Sequence, residues 1–333
     1  MLLLGSAAAS AVATGLATRY LRQRAILDHP NERSSHAVPT PRGGGWGILA
    51  VLVPAWTALG VGPGVLAGVV LLAAVSWIDD RRSLPAGPRL LVQAAAIAAG
   101  LMTLGDGMPG LQGWGLQGWV FQGWLPAWAD RGLTGLCWLW FTNLFNFMDG
   151  IDGIAGSEAV SVAGGLALAA GLAGTATALI EPSLAVAGAA AGFLVWNWQP
   201  AKVFMGDVGS IPLGYGLGWL LFSAAGAGLW QAALLLPLVF VADASFTLAR
   251  RALAGKRILQ AHREHAYQRA VQGGWSHGRV VRAVLAVNAG LAGLALAAPQ
   301  LGWPLGWAAL AAGAAAVFVL LWCLHNAVKR PLK

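Results

Sequence analysis

The sequence predicts an all-α polytopic membrane protein. It reads as a single integral-membrane domain over residues 1–333, one bundle of about eleven transmembrane helices, with the N-terminus outside and the C-terminus cytoplasmic. Three observations predict this. The chain is 57% hydrophobic and only 10% charged, whereas soluble domains carry roughly 25% charged residues. Apolar runs recur from end to end, many approaching the roughly 20 residues that cross a hydrocarbon core. The basic residues fall almost entirely on one side of the threading those runs define. Length alone suggests two domains, but that prior belongs to soluble proteins.

The spans, in order, are Leu2–Leu16, Trp46–Val61, Val65–Ile78, Leu90–Leu104, Trp128–Leu144, Ala159–Ala176, Leu184–Trp198, Ile211–Ala227, Trp230–Leu248, Val280–Ala298 and Trp303–Leu324. Each is helical because lipid offers a loose backbone no partner. With the N-terminus outside, 20 of the 21 Lys and Arg residues share one side and Arg131 alone lies on the other. The positive-inside rule makes the crowded side cytoplasmic, and the pattern supports an odd number of crossings. The first run is not a signal peptide, because Arg19, Arg22 and Arg24 follow it instead of preceding it. Cys137 and Cys323 lie inside apolar runs and read as packing residues. The net charge of +8 does not imply nucleic acid, since the basic residues are scattered between apolar runs. On the outer side, residues Leu111–Trp128 repeat Gln-Gly-Trp at a spacing of five. This reads as an interfacial aromatic belt, with a carbohydrate-binding strip as the functional alternative.

All six histidines and most carboxylates lie on the cytoplasmic side, whose polar loops span about residues 21–45, 79–89, 145–158, 199–210 and 250–279. The exceptions are Asp106, Asp130 and Glu181 outside and Asp243 within the ninth span. DHPNERSSHAVPTPRGGG (28–45) is dense in proline and glycine, hence a loop, and Arg42 beside three glycines suits close approach to a phosphate. In IDDRRSLPAGPR (78–89), adjacent Asp79 and Asp80 repel unless a cation or proton offsets them; as a plain helix end they are salted by Arg81 and Arg82. In NLFNFMDGIDGIAGSEA (143–159), Asn143, Asn146, Asp149 and Asp152 recur every three residues. On a helix that spacing makes neighbours, so Asp149 and Asp152 would share one cation, while Asn143 and Asn146, set deeper, hydrogen-bond neutral groups. In WQPAKVFMGDVGS (198–210), Pro200 ends one span and GDVGS opens the next. That helix start presents free backbone N–H groups to an anion, with Lys202 adding charge and Asp207 calling for a bridging divalent metal. In QAHREHAYQR (260–269), His262 and His265 are three apart, and no thiolate or HExxH pattern supports zinc. Paired histidines with Arg263 and Arg269 suit a diphosphate; the plainer reading is a basic loop on anionic lipid. Hard oxygen ligands and cations on one membrane face suggest Mg²⁺ and a phosphorylated substrate meeting a lipid acceptor.

These five segments, PTPRGGG, Asp79-Asp80, NLFNFMDGIDG, VFMGDVGS and the late histidine loop, resemble in their order the polyprenyl-phosphate N-acetylhexosamine-1-phosphate transferase superfamily (glycosyltransferase family 4). That superfamily includes the phospho-MurNAc-pentapeptide transferase of peptidoglycan synthesis and the enzymes that initiate O-antigen and related glycans. The resemblance implies ten or eleven transmembrane helices in the bacterial inner membrane, a cytoplasmic Mg²⁺-dependent site (Mn²⁺ as substitute) and a homodimer. It matches the family's aspartate pair to Asp79 and Asp80, its asparagine and aspartate motif to Asn143, Asn146, Asp149 and Asp152, and its magnesium-binding aspartate to Asp207. Where the peptidoglycan enzymes carry a run of histidines this chain has HREH, so only His262 and His265 carry over, and Arg89 stands where a lysine is common. Both departures point to the branch initiating O-antigen or other surface polysaccharides.

The reaction so implied is attack of undecaprenyl phosphate on the β-phosphorus of a UDP-N-acetylhexosamine, releasing UMP. Asp207, with Asp79 and Asp80 as further metal candidates, would hold Mg²⁺; His262, His265, Arg263, Lys202, Arg89 and Arg42 would hold phosphate oxygens. Asp79 or Asp80 is the candidate base or orienting group for the lipid phosphate, and a covalent aspartyl-phosphate route is the alternative. Of another class is an ion-coupled transporter, since intramembrane carboxylates mark ion paths. Transport sites tend to lie near the bilayer midplane, however, and these carboxylates gather at one face. Alcohol phosphotransferases want an arginine after the DG element and aromatic prenyltransferases a further aspartate after IDD, and neither is present.

Overall fold

The computed structural model describes residues 1–30, 38–102, 104, 120–121, 124–174, 176–256, 262–300 and 302–327. The Gln-Gly-Trp repeat lies almost wholly outside them. Among the described residues the helices are α1 (Leu2–Gln23), α2 (Gly45–Ala58), α3 (Pro63–Arg82), α4 (Ala86–Leu101), α5 (Ala127–Phe147), α6 (Ile154–Ala173), α7 (Ile180–Asn197), α8 (Asp207–Gly226), α9 (Trp230–Leu235), α10 (Leu238–Leu253), α11 (Ala266–Gln272), α12 (His277–Ala297) and α13 (Gly302–His325). Two strands of two residues, β1 (Leu27–Asp28) and β2 (Thr40–Pro41), pair antiparallel beside α1. The protein is all-α and polytopic. By length and composition seven helical segments suffice to cross a membrane: Leu2–Gln23, Pro63–Arg82, Ile154–Ala173, Thr177–Asn197, Asp207–Gly226, His277–Ala297 and Leu305–His325. α2 and α4 are apolar but shorter.

The expected span Trp230–Leu248 departs from the sequence reading. It is broken into α9 and α10, because Pro237 caps α10 and has no N–H to continue α9. The resulting α10 runs on to Leu253 and carries Arg250 and Arg251 in its last turn.

α8 is the central post, with nearly every residue buried. Apolar helices gain little from associating in lipid except close packing, so small residues decide where they meet. A Cβ on Gly214 would lie 2.9 Å from Phe145, one on Gly216 2.9 Å from Trp56, and one on Gly218 2.5 Å from Trp138. These notches seat the rings of α2 and α5 against α8. The α1–α7 seam works the same way: a Cβ on Gly192 would meet the Ala7 carbonyl at 2.2 Å. Ser10 Oγ donates to the Ala189 carbonyl at 2.6 Å, and Trp196 Nε1 to that of Ala11 at 2.8 Å.

One crossing positions the site. A Cβ on Gly45 would lie 2.2 Å from Gly209 Cα, so α2 and α8 touch backbone to backbone at their N-terminal ends. The loop before each helix is thereby clamped to the other. Phe204 N–H donates to the Pro41 carbonyl, Gly43 and Gly44 N–H to that of Phe204, and Gly45 N–H to that of Met205. The starts of α2 and α8 thus meet the ends of α3 and α5.

Candidate active site

The clamp delivers Arg42 into a cluster of carboxylates. Its Nη2 lies 2.9 Å from Asp80 Oδ1 and 2.9 Å from Asp207 Oδ1. Burial alone would lower the Arg42 pKa, but Asp80, Asp207 and Asp28 together raise it above the ordinary arginine value. Asp80 also accepts the N–H groups of Asp207 (3.1 Å) and Val208 (3.0 Å). The α8 N-terminus, expected to await a ligand anion, is therefore capped by the protein's own carboxylate, where the helix dipole favours negative charge.

Asp79 and Asp80 diverge. Asp79, 7% exposed in its side chain, accepts Leu84 N–H at 2.6 Å and Arg89 Nη1 at 2.6 Å. It ties the end of α3 to the start of α4. Arg89 Nη1 lies 4.0 Å from Asp207 Oδ2, so this arginine also faces the cluster. The repulsion expected between adjacent aspartates is relieved by two different arginines, one for each, and not by one shared cation.

α5 carries Asn143 and Asn146 on one face. Asn146 Nδ2 donates to Asp207 Oδ1 at 3.1 Å and to Ser210 Oγ at 2.7 Å. Asn143 Nδ2 donates to Gln93 Oε1 at 2.7 Å and to the Leu139 carbonyl at 2.8 Å. α5 then stops at Phe147. This corrects the shared-cation reading of Asp149 and Asp152, because both lie past the helix end and helical spacing no longer applies. The intervening loop closes on Gly153 at φ +79°. Asp152 turns away, accepting Ala201 N–H at 3.1 Å and pairing with His277 Nδ1 at 3.3 Å. Asp149 N–H donates to the Asn146 carbonyl at 3.1 Å, and its side chain points to no hydrogen-bond partner among the described residues. Burial lifts its pKa to about 7; Arg42 opposes this, while Asp207, Asp80 and Asp152 add to it.

His262 and His265 come together, with ring centroids 4.9 Å apart, though not as two residues of one helix. His262 precedes α11 and His265 caps it. Burial first, then His265 and Arg251, lower His262 to about 4, so its ring is neutral at physiological pH. Asp243 explains how the pair is held. Its carboxylate accepts Ala266 N–H at 2.8 Å and Tyr267 N–H at 3.2 Å, capping α11 from within α10. Glu264, between the histidines, is gripped by Arg250, Arg251 and Lys256.

A cavity of about 300 Å³ opens between these parts. Asp79, Arg89, Asn143, Asn146 and Asp207 form its polar side, closed by His262 and His265, while Leu72, Leu90 and Leu248 contribute apolar wall. Arg42, Arg263 and Lys202, expected at phosphate oxygens, are not among its lining residues, nor are Asp80, Asp149 and Asp152; Arg42 and Asp80 reach it through Asp207. Lys202 instead lies over the Trp196 ring at 5.5 Å.

The donor set bears on a metal. With Asp149 ionised, the carboxylates of Asp79, Asp80, Asp149 and Asp207 stand against the guanidinium groups of Arg42 and Arg89, a negative excess that one divalent cation offsets. Among the described residues no three His, Cys, Asp or Glu side chains converge to hold a metal unaided. Magnesium does not require that, since one or two carboxylates with substrate phosphates complete its shell. Asp207, beside the Asn146 amide, and Asp149, whose charge acts on that of Asp207, fit such a site. Asp79 and Asp80, the other two carboxylates of the expected set, accept backbone N–H groups and arginines, as Asp207 itself accepts Arg42 and Asn146.

Sequence reasoning missed Gln93, His277 and the capping role of Asp243. Gln93 looked like an ordinary span residue; its signal is polarity near the end of an apolar run. Asp243 was visible only as a costly mid-span charge.

A model of glycosyl transferase family 4 matches residues 63–225. A decaprenyl-phosphate N-acetylglucosaminephosphotransferase of Mycolicibacterium smegmatis is 31% identical over 318 residues, covering 82% of this chain and 76% of its own. A probable undecaprenyl-phosphate N-acetylglucosaminyl 1-phosphate transferase of Bacillus subtilis is 26% identical over 275 residues, covering 80% and 75%. A phospho-N-acetylmuramoyl-pentapeptide-transferase of a Synechococcus species is 31% identical over 317 residues, covering 87% and 88%.

Proposed function

Because the chain belongs to glycosyl transferase family 4, we propose that it transfers N-acetylhexosamine-1-phosphate from a UDP-sugar to a polyprenyl phosphate at the cytoplasmic face of the inner membrane, with undecaprenyl phosphate as the bacterial acceptor and UMP as the leaving group. The product starts a cell-envelope polysaccharide of the O-antigen kind. The observation that carries this reading is the meeting of Arg42, Arg89, Asp207, Asn146 and Asp149 where the loops before α2 and α8 reach the ends of α3 and α5. A site for one neutral ligand has no use for so many charges; a site for two mutually repelling phosphates does.

The protein's residues divide the work. Arg89 and Arg42, each more than a third exposed in its side chain, offer guanidinium edges to phosphate oxygens. Asp80 and Asp79 hold those arginines in place, and Asp80 also caps the start of α8, so their part is to orient. Neutral His262, beside His265, lines the cavity with Asp207 and offers its ring to oxygens of the donor or its leaving group. Asn143 and Asn146 present amides to neutral groups. Asp207 and Asp149 would hold Mg²⁺, or Mn²⁺ in its place, which when bound offsets diphosphate charge. No strong base is needed at the acceptor, since a phosphate monoester with a second pKa near about 6 is mostly dianionic at neutral pH. The apolar wall of the cavity suits the lipid end of the acceptor.

Purified protein incubated with undecaprenyl phosphate, Mg²⁺ and a panel of UDP-sugars tests the reading. Release of UMP with one or more UDP-N-acetylhexosamines is expected. Release of UDP means ordinary glycosyl transfer, and no release with any sugar removes the transferase reading.

A further inference from the structure

A second cavity, of about 400 Å³, lies between α10 and α13. α10 separates it from the first: Leu248 faces the carboxylate side, whereas Leu238, Ala242, Phe246 and Arg250 line the second cavity at four-residue spacing. α13 supplies the other wall through Ala314, Val317, Phe318 and Trp322. Phe246, Phe318 and Trp322 are 63%, 70% and 61% exposed, so the groove is open along an apolar flank.

One end of the groove is cationic. Arg250 Nη1 and Arg269 Nη1 lie 3.5 and 3.1 Å from the same nitrogen, His325 Nε2. Both guanidinium groups also donate to the Glu264 carbonyl, at 3.2 and 3.3 Å. The carboxylate of Glu264 is shared by Arg250, Arg251 and Lys256. Several cations thus gather at one carboxylate, and two of them converge on neutral acceptors where an anion would bind more strongly. Burial, and then the charge of Arg250, pull the Arg269 guanidinium below its ordinary value.

We propose that this groove binds one anionic glycerophospholipid, with an acyl chain along α10 and α13 and the phosphate on Arg250 and Arg269. The dimensions agree. From Ala314 to Asn326 the helix rises about 18 Å, against about 15 Å for one leaflet of a hydrocarbon core about 30 Å thick. The groove is not the acceptor's place, because α10 would wall its phosphate off from Asp207. Anionic lipid is drawn to basic residues at the membrane surface, and here it reaches the segment bearing the two histidines. Asp243, which caps α11, and Ala266, which it caps, both line the groove. Arg250 and Arg269 hold the Glu264 carbonyl between His262 and His265. A bound phosphate therefore steadies residues 262–272.

The full chain in nanodiscs of phosphatidylcholine, or of an equal mixture with phosphatidylglycerol, tests this without reference to turnover. Native mass spectrometry is expected to find one phosphatidylglycerol retained per chain. Hydrogen exchange of residues 262–272 is expected to slow in the mixed discs. Arg250→Gln with Arg269→Gln should cut retention roughly tenfold or more. Ala314→Trp, which fills the groove and leaves the charges, should cut it as well. Retention by both variants equal to the unaltered chain overturns the proposal, as does identical exchange in the two lipid mixtures. Displacement of the retained lipid by an equal concentration of undecaprenyl phosphate also overturns it, assigning the groove to the acceptor.

Discussion

Replacing Asp80 with Ala separates two accounts of the aspartate pair. If Asp80 served only as a base or metal ligand, its loss would stop turnover and leave the fold as stable as before. In the structure its side chain is 4% exposed, bonds two N–H groups of the α8 N-terminus and pairs with Arg42. Loss of a helix N-cap costs about 1–2 kcal/mol. A fully buried ion pair broken on one side would add about 3–5 kcal/mol, but the Arg42 side chain is 37% exposed and keeps Asp207. Solvent screening reduces that part to about 1 kcal/mol. The sum, about 2–3 kcal/mol, is a drop of several degrees in the unfolding midpoint. It is read by intrinsic tryptophan fluorescence in detergent, alongside turnover. Arg42→Ala and the double variant complete a cycle, with a coupling of about 1 kcal/mol expected. An unchanged midpoint for Asp80→Ala together with lost turnover would refute the capping role and return Asp80 to the chemistry.

Three further outcomes follow. Asp149→Asn should lower kcat by about 100-fold or more with the unfolding midpoint kept, whereas Asp152→Asn should lower the midpoint and cost kcat less than about tenfold; equal effects on kcat would restore the shared-cation reading. Gly192→Val drives a side chain into the Ala7 carbonyl and should destabilise the α1–α7 seam by about 1–3 kcal/mol with KM unchanged, measured by thermal unfolding and initial rates. His262, lowered to about 4 from an ordinary value of 6.5, binds a proton more readily unfolded than folded, so stability should fall as pH drops from 6.5 toward 4 and stay level above. His262→Gln should flatten that fall, and an identical fall in the variant would exclude His262 as its source.

The fold was legible in the sequence because apolar run length and charge asymmetry follow directly from lipid and water. The same holds for the gathering of Asp80, Asn146 and Asp207, since each lies at an end of an apolar run on the same side. What was not legible is direction. Asp79 and Asp80 are adjacent, and nothing in the sequence says that one turns to Arg89 and the other to α8. Asp149 and Asp152 were read at helical spacing because the stop of α5 at Phe147 lies within a continuous motif. Pro237 inside the expected ninth span was a breaker in plain view, overridden by the apolar residues on both sides. Asp243 shows the opposite limit: a buried charge announces that it has a partner, but that partner is the start of α11, more than twenty residues on.

The central claim is that the phosphorus next to the sugar travels with it to the lipid. UDP-N-acetylglucosamine labelled at the β-phosphorus, incubated with the purified chain, undecaprenyl phosphate and Mg²⁺, tests this directly. Label in the lipid extract with unlabelled UMP in the aqueous phase is the predicted result. Label remaining in the aqueous phase as UDP, with sugar on the lipid, would contradict it.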